Sequence, residues 1–189
     1  MYGMVNQAVE ALVTERFGED TWRRVQARAG IADPLFVTMK QYPDAVTYQL
    51  VGAISAETGA SVADLLHAFG VYWVEYAQRG PWGKVMMAAG RDARELLGAL
   101  DAMHARIALS FPELKPPSFR TVPHPEGLLL EYHSERPGLT NFVVGLVQGV
   151  GRMYGEHVTA EPVTTREGGA AFDAFLVRFH GPLVEAGKA

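Results

Sequence analysis

The sequence predicts an α+β fold, in which a helical first part is followed by a four-stranded antiparallel sheet with one helix inserted among its strands. Apolar residues recur at helical spacing from Tyr2 to Phe111, and from Ser118 onward the period drops toward two. Punctuation agrees: Gly18, Gly30, Gly59 and Pro112 each close a periodic run, as helix ends do.

In the first helix, 2–17, Val5, Val9, Leu12 and Val13 share one face. Asp20 is a candidate N-cap for a second over 21–29. The stretch IADPLFVTMKQYPD, with its two prolines, reads as a connection holding one short helical turn. Asp44 then opens a helix over 45–58, with Val46, Leu50, Val51 and Ile54 inward. Ser61 and Asp64 have the spacing of a capping pair. The helix they start runs to Arg79 and is apolar nearly all round, the mark of a buried helix. Helices follow near 82–89 and 91–111, the latter carrying Leu97, Leu100, His104, Ile107 and Phe111 on one face. Lys115-Pro116-Pro117 makes a stiff, extended link. Strands are predicted near 118–123, 127–135, 156–166 and 171–180, with a helix over 139–154 and a hairpin turn at Glu167-Gly168-Gly169.

The 189 residues are enough for one domain with a full core. We expect a single domain over 1–183, divided into a helical part (1–60) and an α+β part (61–183), with a tail at 184–189. A net charge of −4 without a basic stripe argues against nucleic acid. The absence of cysteine excludes disulfides, thiolate metal sites and thiol catalysis. The N-terminus lacks a basic lead and a small-residue cleavage site, and its glycine is at position 3 rather than 2. No apolar run approaches the ~20 residues that span a bilayer. A cytoplasmic protein with no membrane contact is expected.

Two features could carry chemistry. His104 lies on an apolar helix face, where most histidines are packed, hydrogen-bonded core residues. As a ligand, one imidazole cannot hold zinc, which takes three or four protein ligands, and no H-E-x-x-H cluster supplies the rest. A haem iron already has four porphyrin nitrogens and needs only an axial ligand. Tyr132, Ser134 and Arg136, in LLLEYHSER, fall on one face of a strand and could be an ordinary wet surface. They could equally clamp a carboxylate, with Arg136 binding it bidentately and the two hydroxyls donating. An axial histidine and a propionate clamp would be complementary halves of one site.

The chain resembles the haem nitric oxide/oxygen binding (H-NOX) family of bacterial gas sensors and the haem-binding part of soluble guanylate cyclase. The resemblance rests on MYGMVNQAVEALV, LLHAFGVYWVEYAQ, LDAMHARIALSFPELKPPSF, and the YxSxR motif in EYHSERPGL followed by VVGLVQG. It implies haem b between the helical part and the sheet, with His104 as proximal iron ligand and Tyr132, Ser134 and Arg136 on the propionates. Pro117 would distort the porphyrin. Tyr2, Met4, Val5, Trp73, Phe142 and Leu146 would line the pocket. Oxygen-binding members place a tyrosine where this chain has Phe142, so the resemblance implies nitric oxide, and carbon monoxide, with oxygen weak or absent. Trp73 and Tyr76 read as core aromatics, although the Trp73 indole could donate to a ligand or its bulk act as a steric filter. Nitric oxide binding opposite His104 would weaken the iron–histidine bond and let the helical part shift against the sheet, with Gly3 and Gly70 as flexible points. The signal would pass to a separate protein, a histidine kinase or a cyclic-di-GMP enzyme. The alternatives are an oxygen-binding or redox-responsive sensor, or a peroxidase-type haem enzyme. The last would need distal acid–base groups; His67 is the nearest candidate, and helix packing suits it better. We expect no enzymatic activity.

Overall fold

The computed structural model describes residues 1–31, 35–111 and 113–183. Its elements run α1 (Gly3–Phe17), α2 (Glu19–Ala29), α3 (Asp44–Thr58), α4 (Val62–Arg79), α5 (Trp82–Ala89), α6 (Ala93–Ser110), β1 (Ser118–His124), β2 (Gly127–His133), α7 (Thr140–Met153), β3 (Glu156–Thr164) and β4 (Asp173–Pro182). The strands form one antiparallel sheet in the order β1-β2-β4-β3. The α+β expectation is therefore met. The tail at 184–189, the middle of the α2–α3 connection and Pro112 lie outside the described residues.

Local chemistry accounts for most boundaries. Ser61 caps α4, its hydroxyl accepting from the Asp64 amide at 3.1 Å while donating to the Asp64 carboxylate at 2.7 Å. Asp92 caps α6 in the same way through the Glu95 amide. Three expectations need correction. Asp20 is not a cap: α2 starts two residues earlier than expected, at Glu19 after Gly18, and Asp20 pairs with Arg23 on the surface. Asp44 makes no cap either, since Pro43 holds that position and the Asp44 carboxylate is used elsewhere. Finally, β2 stops at His133 rather than 135. There the Ser134 hydroxyl accepts the Arg136 amide at 3.1 Å, and this local bond competes with the strand ladder.

The buried residues fall into two clusters. One joins Leu96, Leu97 and Leu100 of α6 and Val143, Val147 and Val150 of α7 to the inner sheet face at Leu130, Phe175 and Val177. The other joins Val9 and Val13 of α1, Trp22 and Val25 of α2 and Leu50 and Ile54 of α3 to Phe69 and Tyr72 of α4. Helix α4 contributes to both clusters, and Phe142 packs against both.

The α4–α7 contact is made backbone to backbone. A Cβ on Gly70 would lie 2.1 Å from the Phe142 carbonyl oxygen, and one on Gly145 would lie 2.0 Å from that of His67. Only glycine lets the two helices come this close. Gly3 is equally confined, with the Val37 carbonyl oxygen 2.1 Å from where its Cβ would be. Gly3 and Gly70, expected as flexible points, thus serve as close-packing positions inside α1 and α4.

Candidate functional site

His104 sits on α6 where the helix passes the extended link into β1. Its ring lies 5.7 Å from that of Phe119, and its Nδ1 lies 3.3 Å from the Pro117 carbonyl oxygen. A carbonyl can only accept, so Nδ1 carries the hydrogen and Nε2 keeps its lone pair. Burial pushes the His104 pKa below the usual value, and the Pro117 bond and the Asp101 charge only partly oppose this. A neutral imidazole oriented by a carbonyl through one nitrogen, with the other available, is the form that ligates a metal. Asp101 itself is held by the Ser118 hydroxyl at 2.7 Å and the Phe119 amide at 3.1 Å, fixing the start of β1 to α6.

Tyr132 reaches this group through Phe119, whose ring is 5.4 Å from that of Tyr132. His104 and Tyr132 thus lie on either side of one buried phenylalanine, which no local pattern marked. Burial raises the Tyr132 pKa, only partly offset by its hydrogen bond with Ser134 and by the nearby Arg136 charge, so the phenol stays protonated. Ser134 and Arg136 lie in the turn after β2 rather than on its face. Arg136 is not a wholly free fork: its Nε donates to Asp44 Oδ2 at 2.8 Å and its Nη1 to the Lys115 carbonyl at 3.2 Å.

Asp44 was missed as part of this site, because nothing in the sequence links α3 to a motif 92 residues away. It also accepts from the Met1 ammonium at 2.5 Å. Burial alone would raise its pKa, but the ammonium and Arg136 together hold it below the ordinary value. Folded Asp44 therefore binds fewer protons than the unfolded chain in the interval between the two pKa values. Its contribution is complete above about pH 4 and is lost as pH falls through the lowered folded value. With its side chain 38 % exposed, screening keeps the contribution under about 1 kcal/mol. Asp44→Asn is expected to remove this component of acid destabilisation, read as a smaller fall in melting temperature between neutral and acidic buffer than in the wild type.

Of the remaining expected residues, the structure brings together Trp73 and Phe142. Phe142 of α7 and Trp73 of α4 both pack on Phe69, with ring separations of 5.5 and 6.2 Å, and Trp73 stacks on Tyr76 at 6.4 Å. Val5, Trp73 and Phe142 border the helical core, and Leu146 borders the sheet core. Met4, Val5, Trp73, Phe142 and Leu146 are half-buried within α1, α4 and α7, and Tyr2, also half-buried, precedes α1 and bridges to Gln41. His67 bonds Gln148 at 3.0 Å across α4 and α7, a packing role.

These residues fit a haem. The site offers a neutral imidazole nitrogen, half-covered apolar side chains, and a protonated tyrosine, a serine and an arginine able to meet carboxylates. Among the described residues no three His, Cys, Asp or Glu side chains cluster to hold a bare metal ion.

The family model for Haem-NO-binding proteins matches residues 2–162. The chain belongs to the haem-NO-binding family. The domain is 30% identical over 151 residues to soluble guanylate cyclase gcy-31 of Caenorhabditis elegans, covering 79% of this chain and 22% of that protein. It is 28% identical over 162 residues to soluble guanylate cyclase 89Db of Drosophila melanogaster, covering 85% and 24%. It thus spans about a quarter of the length of these relatives. Among solved structures, the H-NOX protein from S. oneidensis in its Fe(II)NO state superposes with a TM-score of 0.85 at 18% identity, covering 96% of this chain and all of that one. The unliganded H-NOX protein from K. algicida superposes with a TM-score of 0.78 at 20% identity, covering 97% and 99%. These structures share the fold of the haem-NO-binding domain. No helix among its described residues is long and apolar enough to cross a membrane.

Proposed function

We propose that this haem-NO-binding domain senses nitric oxide, and that it carries the signal to a separate protein rather than catalysing a reaction. The observation that supports this most directly is the His104 tautomer, which leaves Nε2 free to ligate iron. When bound, haem b supplies a ferrous iron at which a diatomic gas can add. His104, oriented by the Pro117 carbonyl, would hold the iron, and Pro117 would bear on the porphyrin. Tyr132, Ser134 and Arg136 hold the propionates, with Arg136 dividing its donors between a carboxylate and Asp44. Tyr2, Met4, Val5, Trp73, Phe142 and Leu146 exclude water from the gas side. Release of His104 would let the helical part, up to about residue 60, shift against the remainder, a two-state element that a histidine kinase or a cyclic-di-GMP enzyme in the cytoplasm would read.

Phe142 governs the choice of gas. Bound oxygen carries partial negative charge and needs a hydrogen-bond donor, whereas nitric oxide does not. The benzyl ring offers none. Anaerobic titration of the ferrous protein with nitric oxide, carbon monoxide and oxygen, followed by absorption, tests the reading. Uptake of the first two without a lasting oxygen complex is expected, and a stable oxygen complex in air would sink it. Phe142→Tyr restores a donor and is expected to tighten oxygen binding about 10–100-fold. If oxygen affinity does not change, selectivity lies elsewhere.

A further inference from the structure

We infer that Arg166 and Asp173, at the β3–β4 hairpin, are positioning residues for the Tyr132–Ser134–Arg136 clamp and hold it in register with α7. The inference rests on the haem reading above. Its basis is a chain of bonds that site does not otherwise use. Asp173 opens β4 opposite Tyr132 of β2, and it is only 6 % exposed. Its Oδ1 accepts the Arg166 amide at 2.6 Å, and its Oδ2 accepts the hydroxyl of Thr140, the first residue of α7, at 3.3 Å. The Arg166 guanidinium reaches over the hairpin loop and donates through Nη1 to the Ser134 carbonyl. The Ser134 hydroxyl in turn accepts the Arg136 amide.

A carboxylate removed from water is tolerated only if its oxygens find donors, so Asp173 commits both Thr140 and Arg166 to fixed places. The Arg166 backbone, once fixed, aims its side chain at the turn after β2. A cation on the Ser134 carbonyl then fixes that peptide, and through the serine hydroxyl the backbone of Arg136. The segment 134–139 links the clamp to the helix that carries Phe142 and Leu146. Both of its ends are thus tied to one carboxylate. A clamp that must meet a propionate within a fraction of an ångström gains from such support.

The test uses the full chain loaded with haem and measures haem loss to excess apomyoglobin by absorption. Arg166→Ala is expected to speed loss about 5–20-fold, the range of one charge-assisted hydrogen bond weakened by its exposed site. Arg166→Lys and Asp173→Asn, which each keep part of the bonding, should fall between it and the wild type. In a double-variant cycle, Arg136→Ala with Arg166→Ala should lose haem no faster than Arg136→Ala alone, because Arg166 acts through the turn. In the chain without haem, Arg166→Ala should raise deuterium exchange over residues 134–140 and leave α1–α3 unchanged. Unchanged haem loss in Arg166→Ala, or effects that multiply in the double variant, would overturn the proposal. A wild-type chain that takes up no haem would instead overturn the parent reading, and the exchange measurement would then decide on the brace by itself.

Discussion

Haem is expected to be lost from His104→Gly and recovered when imidazole is supplied. The substitution removes the one side chain in the site with a ligating nitrogen whose protonation state is fixed by a neighbour, the Pro117 carbonyl. It leaves Tyr132, Ser134 and Arg136 in place, so in the proposed site a porphyrin would keep its carboxylate anchors and lose its protein ligand. Retention should weaken by about a hundredfold or more, equivalent to about 3 kcal/mol. The variant should purify pale and regain its Soret band in imidazole, which fits the space left beside Phe119. Rescue separates loss of a ligand from loss of the fold, since added imidazole cannot repair a collapsed core. A His104→Gly protein that keeps its full colour and ferrous spectrum without imidazole would remove His104 from the iron.

The second large effect is structural and needs no cofactor. Gly145→Ala should destabilise the domain by about 3 kcal/mol, at the upper end of overpacking costs. The added methyl would sit 2.0 Å from the His67 carbonyl oxygen, and a backbone oxygen cannot rotate away as a side chain can. Helices α4 and α7 would have to separate, loosening Val143 and Val147, which are fully buried. For a chain of this length the loss corresponds to a fall in melting temperature of about 6–12 °C. Gly52→Ala is the control. That glycine lies within α3 with no atom within 4 Å of the new methyl. Helix propensity alone then predicts a gain of about 0.5–1 kcal/mol. Equal melting temperatures for the two variants would show that the close helix approach has no energetic weight.

The two glycines also show where the sequence is legible and where it is not. Repeating apolar positions report which face of a helix is buried, so α1, α3, α4, α6 and α7 could be placed within a few residues. The Ser61–Asp64 cap could be read because both partners lie within one turn. A glycine's reason for being glycine, by contrast, depends on what lies across the helix interface. Gly70 looked flexible only because its neighbour, the Phe142 carbonyl, is far away in the chain. The same limit hid Asp44, whose partner Arg136 belongs to another part of the fold, and Phe119, which joins His104 to Tyr132. The end of β2 was misplaced for a different reason. The alternation of Tyr132, Ser134 and Arg136 continues past the strand, but a serine hydroxyl takes an amide the ladder would need. The candidate site was legible in its residue types, and its wiring was not.

The hydrogen bond from His104 to Pro117 has a kinetic consequence. It spans 13 residues and ties the ring to the chain just beyond its own helix. In the proposed haem site, a histidine held this way would stay at high effective concentration at its coordination position, so that a bond that opened would reclose before a free competitor in solution took the place. The proposed sensor would then reset at the rate the gas departs, without waiting for its histidine to find its way back.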